Sequence, residues 1–148
     1  MSITVLNPNT IHLGGLKVEI NEFAAIEAIT PGMVLEYRND SGTLKFGVHD
    51  TADDPCYPII ALNQPELNLT VSDAYAVYDL VKAAHMLPGA TFWALIPSGQ
   101  NIAPGDLLQS NGDGKLKALA SGVARFVALE SSGGAVVADT RLRVEVLP

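Results

Sequence analysis

The sequence predicts an all-β protein, a small barrel or sandwich built from repeated hairpins that open on Pro-Gly. Three observations carry this. The stretch IAPGDLLQSNGDGKLKA, Ile102 to Ala118, reads as a hairpin. Pro104-Gly105 turns the chain, Leu107 and Leu108 begin an apolar strand, and Ser110 to Gly114 form a polar turn of residues that tolerate positive φ. Leu116 then resumes the apolar pattern between Lys115 and Lys117. The same pattern occurs earlier, in ITPGMVLEYRNDSGTLKF from Ile29 to Phe46. Pro31-Gly32 matches Pro104-Gly105, and Leu44-Lys45 matches Leu116-Lys117. A third, partial copy is LPGATFWAL, Leu87 to Leu95.

The elements follow in order. Residues 1–15 have no steady period, and Asn7-Pro8-Asn9 and Gly14-Gly15 break them. They are expected to form an extended N-terminal arm whose Ile3, Val5, Leu6, Ile11 and Leu13 pack on another polypeptide and order on binding. Residues 16–148 are expected to form a single β domain. Leu16 to Ile20 alternates as a half-buried strand, and Glu22 to Ala28 is a short apolar piece. The first hairpin runs over Met33–Tyr37 and Thr43–Val48, with its turn at Asn39-Asp40-Ser41-Gly42. His49 to Cys56 is an acidic loop, and Tyr57 to Leu62 a short buried strand.

Ser72 to Met86 reads two ways. Ala74, Val77, Tyr78, Val81 and Ala84 fit helical spacing, with Ser72 as a cap. Tyr75, Val77 and Val81 are also good strand formers, and Asp79 could mark a turn between two short strands. Periodicity leaves both open; Pro88-Gly89 opening another strand directly afterwards favours strands. Ala90 to Ile96 is apolar and carries Trp93. Gly122 to Glu130 and Arg141 to Leu147 read as closing strands, the latter with Leu142, Val144 and Val146 on one face.

Composition limits the function. The chain has 148 residues, a net charge of −7 and no basic block. Phosphate contacts need clustered positive charge, so nucleic acid is not an expected partner. No apolar run approaches the roughly 18 residues of a membrane span, so no membrane contact is expected. The start, MSITVLNPNT, lacks a basic segment followed by an apolar core, so synthesis in the cytoplasm is expected. Charged residues make up 17% of the chain, against about 25% in ordinary soluble domains. Low charge with many small apolar residues predicts a surface partly covered by other subunits.

No catalytic, cofactor or metal set emerges. His49, Asp50, Asp53 and Asp54 cluster in sequence, but their spacing fits no calcium loop and reads as a solvated loop with an Asp-Pro turn. His12, His49 and His85 show no paired ligand spacing for zinc. Ser98-Gly99 lacks the glycine two residues before serine that a nucleophile elbow requires. Cys56 has acidic neighbours, which disfavour a thiolate, and reads as a buried small hydrophobe. NGDGK, ending in Lys115, lacks the remaining residues of a phosphate loop.

From about Ile26 to Leu147 the chain resembles the head decoration, or capsid cement, proteins of tailed bacteriophages. The residues that carry the resemblance are DAYAVYDLV (Asp73–Val81), LPGATFWAL, SGQNIAPGDLLQSNGDGKLKAL (Ser98–Leu119), ARFVALE (Ala124–Glu130) and RLRVEVL (Arg141–Leu147). The run Gly-Gln-x-Ile-x-x-Gly-Asp-x-Leu-x-Ser-x-Gly-Asp-Gly, Gly99 to Gly114, is the most specific part. Ala90-Thr91 departs from the pattern, since such proteins often carry an acidic residue after Pro-Gly. The resemblance implies a structural virion protein on the outer capsid surface, bridging subunits of the major capsid protein, often as a homotrimer. It implies no catalytic residue. The Pro-Gly openings also resemble β-clip domains of the antifreeze-like and sugar-acid dehydratase type, which makes a ligand-binding or accessory domain of a small-molecule enzyme the alternative.

Overall fold

The computed structural model describes residues 10–148. Among these residues eleven strands form three antiparallel sheets. The largest contains β1 (His12–Gly14), β7 (Thr91–Ile96), β11 (Thr140–Val146), β10 (Phe126–Ala128), β8 (Leu107–Ser110) and β9 (Leu116–Ala118), paired in that order. A second pairs β2 (Lys17–Ile20), β6 (Ala83–Met86) and β5 (Ile59–Ala61). The third is the hairpin β3 (Leu35–Asp40) and β4 (Thr43–Val48). Among the described residues the sheets keep open edges, so the arrangement is sandwich-like and not a closed barrel. Among the described residues the helical element is one 3-10 turn, Pro65–Leu67.

The three-stranded sheet is the middle layer. Its residues alternate between two hydrophobic cores, as the two-residue period of a strand requires. Ile60, Ala84 and Met86 face the first core, with Phe92, Ala94 and Ile96 of β7, Leu142, Val144 and Val146 of β11, and Phe126 of β10. Ile59, Ala61 and Ala83 face the second, with Leu35, Phe46 and Val48 of the hairpin. In the first core the rings of Phe92 and Phe126 meet edge to face at 5.7 Å. In the second, Phe46 stacks on Tyr37 at 5.2 Å while Phe23 meets both edge on. Such pairs add to plain area burial.

The three Pro-Gly segments are one device used three times. In each, the residue after Pro-Gly donates its N–H to the carbonyl of the residue before it: Met33 to Thr30 (3.1 Å), Ala90 to Leu87 (2.9 Å) and Asp106 to Ala103 (3.1 Å). Gly32, Gly89 and Gly105 have φ of 95°, 90° and 88°. Proline then a positive-φ residue defines a type II turn. Each glycine also donates to a neighbouring strand residue, which donates back to the residue after the glycine. Gly32 and Met33 exchange bonds this way with Ala61, Gly89 and Ala90 with Val146, Gly105 and Asp106 with Ala128. Every turn is thereby fixed to a strand from the moment it opens the next one.

The two full hairpins differ in their tips. The first closes on a two-residue turn, Ser41-Gly42, both at positive φ (53° and 91°), with Asp40 opposite Thr43. Such primed turns match the twist of the strands. The second closes through Asn111 to Lys115, with Gly112 and Gly114 at φ 91° and 80°.

The expected arm is corrected where it is described. Ile11 is fully buried in the first core. It donates to Asn63 Oδ1 (3.0 Å) and accepts from the Trp93 N–H (2.9 Å). His12 pairs with Phe92 and Gly14 with Thr91. Residues 10–15 therefore pack on their own sheet, because an apolar residue just before a bridgeable edge gains more from the core than from water. Leu13 does remain half exposed. Residues 1–9 of the expected arm lie outside the described residues. Ser72 to Met86 contains no helix: Tyr75 bridges Ile29, Leu80 bridges Ala24, and β6 follows. Asp79 does close a turn, accepting from the Ala76 N–H (2.9 Å) and donating its own N–H to the Ala76 carbonyl (3.0 Å).

Candidate binding surface

The residues weighed for chemistry are taken up by the scaffold. His49 is buried, with Nδ1 2.6 Å from Ser110 Oγ. Its N–H donates to Val34 O (2.9 Å), Val34 donates to Gly114 O (2.9 Å), and Gly114 donates to His49 O (3.1 Å). This ring of bonds seats the NGDGK turn on the first hairpin. Asp50 pairs with Arg38 (3.5 Å), and Thr51 donates to it; the Thr51 hydroxyl, then the Glu36 side chain and the charge of Arg38, hold its carboxyl below the usual range. Asp53 reaches Lys117 (2.6 Å). Lys115 pairs with Asp139 (2.7 Å) and Asp113 (3.7 Å). Asp50 and Asp53 thus diverge, each toward its own cation. Among the described residues no group of three or more His, Cys, Asp or Glu is placed to hold a metal ion. Cys56 is buried, and desolvation pushes its thiol up to about 11. The His12 ring lies 3.2 Å from the Gly15 carbonyl, and Ser98-Gly99 is a turn. No catalytic constellation comes together from these positions.

The surface offers two features. One is a polar cleft of about 350 Å³ lined by Glu19, Asn21, Gln64, Glu66, Leu80, Val81 and Lys82. Lys82 is bound to Glu66 there (3.2 Å). The other is an apolar strip along β2. Leu16 is 72% exposed, Val18 56% and Tyr57 70%. The Leu87 N–H donates to Leu16 O (3.0 Å), Val18 lies opposite His85, and the Tyr57 ring meets His85 edge on at 6.4 Å. Leu87, Leu16, Val18, His85 and Tyr57 therefore form one continuous strip beside an open strand edge. Contiguous exposed apolar surface marks interaction sites more than isolated exposed residues do. The alternation in Leu16 to Ile20 was visible in sequence; Tyr57 and His85 join it only through the pairing of β5 and β6.

No protein-family description matches the chain, and no curated protein matches it. Among solved structures it is similar to the crystal structure of the head fiber gp8.5 N base of bacteriophage phi29. The TM-score is 0.57 at 15% sequence identity, and the alignment covers 90% of this chain and 99% of that one. At that identity the likeness is one of fold, an all-β architecture shared over almost the whole of both chains.

Proposed function

We propose that the protein is a structural component of a tailed-phage head. It decorates the outer capsid surface, bridges major capsid protein subunits and stabilises the shell, assembled as a homotrimer. The observation that carries this reading is the fold shared with a phage head-fiber base over nearly the full length of both chains. The sequence resemblance between Ile26 and Leu147 supports it on separate grounds.

The physics of such a role suits this chain. A decoration protein binds a composite site that exists only when capsid subunits are assembled, so binding stabilises the assembled state by mass action. Several copies around a symmetry axis turn weak contacts into avidity. The net charge of −7 repels packaged nucleic acid. Shell contacts are then mainly apolar and main-chain, through Leu and Val side chains and strand edges, and they persist in moderate salt because screening removes only exposed charge terms.

The test is a thermal melt of heads stripped of the protein, with and without adding it back, at low and high salt. The expected outcome is a higher melting temperature with added protein at both. No shift at saturating protein overturns the decoration reading. A shift that disappears at roughly half-molar salt keeps the function and overturns the apolar-contact mechanism.

A further inference from the structure

We propose that two copies of this chain pair through the open edge of β2, antiparallel across a two-fold axis at Val18. The pairing continues the three-stranded sheet of one copy into the sheet of the next.

The pairing of β2 with β6 fixes which of its main-chain groups face outward. Lys17 pairs with Met86 and Val18 with His85, and the Leu87 N–H donates to Leu16 O (3.0 Å). Hydrogen-bonded positions alternate along an antiparallel ladder. Residues 16, 18 and 20 therefore turn their N–H and C=O groups toward β6, while Lys17 and Glu19 turn theirs away. Among the described residues no strand lies beyond β2.

A second copy of β2 added there must set outward-facing residues opposite one another. Three registers do so. Two of them centre on Lys17 facing Lys17 or Glu19 facing Glu19, and like charges directly opposite are destabilising. The third sets Lys17 of one copy against Glu19 of the other, twice, with Val18 against Val18 and Leu16 beside Ile20. LKVEI is thus self-complementary in antiparallel orientation. Lys17 and Glu19 already pair within one copy at 2.7 Å, so both side chains lie where the exchanged pair needs them.

Edge strands are usually protected by proline, bulges or an unmatched lysine. β2 has no proline and no bulge, and Glu19 neutralises its one lysine. Pairing covers one flank of Leu16 and Val18, both more than half exposed, and so removes part of their apolar surface from water. The contact is isologous, so it is distinct from any threefold contact. It does not rest on the proposed function.

The test is disulfide trapping. In this register Val18 faces Val18 at a non-hydrogen-bonded position, with Cα atoms about 4.5 Å apart, inside the span of a disulfide. Val18→Cys protein under mild oxidation is expected to give a covalent dimer in solution. The wild-type chain, whose Cys56 is buried, is expected to give none. Lys17→Cys and Glu19→Cys are each expected to link poorly alone and efficiently when mixed, which reads the register. The proposal is overturned if Val18→Cys links no faster than Val137→Cys, at a position 97% exposed. It is equally overturned if Lys17→Cys alone links as well as the mixture. Linkage of Val18→Cys to a capsid subunit on heads, with none between copies in solution, also overturns it and assigns the edge to the shell.

Discussion

Gly32 and Gly105 occupy the same place in the same turn, yet their surroundings separate two costs that usually travel together. A Cβ on Gly105 would meet nothing within 4 Å, whereas one on Gly32 would lie 2.5 Å from Arg141 Nη1 and 2.7 Å from Trp93 O. Arg141 is fixed there, donating to Pro31 O (2.8 Å) and Val71 O (2.7 Å). Gly105→Ala is expected to cost about 1–2 kcal/mol from the positive φ alone. Gly32→Ala is expected to cost about 1–3 kcal/mol more, because backbone and a bonded guanidinium must move. Urea denaturation of the two variants checks the difference; equal losses would show that Arg141 yields freely. A second residue-scale effect concerns alkali. Burial raises Cys56 to about 11 and Tyr75 to about 12. Both are neutral acids in the folded state that ionise more readily when unfolded. Their contribution is fully present below the unfolded values near 9 and 10 and is lost as pH rises through the folded ones. Stability is therefore expected to fall from about pH 9 upward. Melting temperatures of wild type and Cys56→Ala between pH 8 and 11 check this, and the Cys56→Ala curve is expected to fall less steeply.

At the scale of elements, the repeated Pro-Gly turn is the unit from which the sheets are started. Its glycine N–H groups are bonded into strands, so hydrogen exchange at Gly32, Gly89 and Gly105 is expected to be slow, at strand rates. Gly133, whose N–H meets the exposed Ser131 hydroxyl at 3.0 Å, is expected to exchange fast. Fast exchange at any of the three would remove that turn from the common device. This part of the fold was legible because turn chemistry is local: proline sets φ, glycine accepts positive φ, and both are written in adjacent letters. Asp79 was legible as a turn for the same reason. Two strands of the middle sheet were also legible, Leu16 to Ile20 and Tyr57 to Leu62, but their pairing with each other through β6 was not. Ile59–Ala61 is a short apolar run buried on both faces, and Ala83–Met86 is buried except at half-buried His85, so neither shows an alternation that reveals its partners. Ile11 was read as part of an arm because a three-residue edge strand leaves no period, and its partner lies some eighty residues away at Trp93. The strip of Leu16, Val18, His85 and Tyr57 was hidden for the same reason, as it exists only once distant strands pair.

At the scale of the whole molecule, the middle layer makes the two cores interdependent. Each face of β5 and β6 is covered by a different partner, so neither the six-stranded sheet nor the β3–β4 hairpin is seated without them. The order of the six-stranded sheet sharpens this. β11, the last strand in sequence, lies between β7 and β10, its Val144 opposite Phe92 on one side and Ala128 on the other. The sheet that also contains His12 therefore lacks its central member until Thr140–Val146 has been made. Pairings this distant in sequence are slow to close, and chains are made from the N-terminus forward. A growing chain that ends before Thr140 is expected to remain open to protease, and one extended through Val146 and released to become resistant. Protease protection at intermediate lengths would show that the middle layer and hairpin close first. The position of one strand thus works as a latch: without Thr140–Val146 nothing holds β7 against β10.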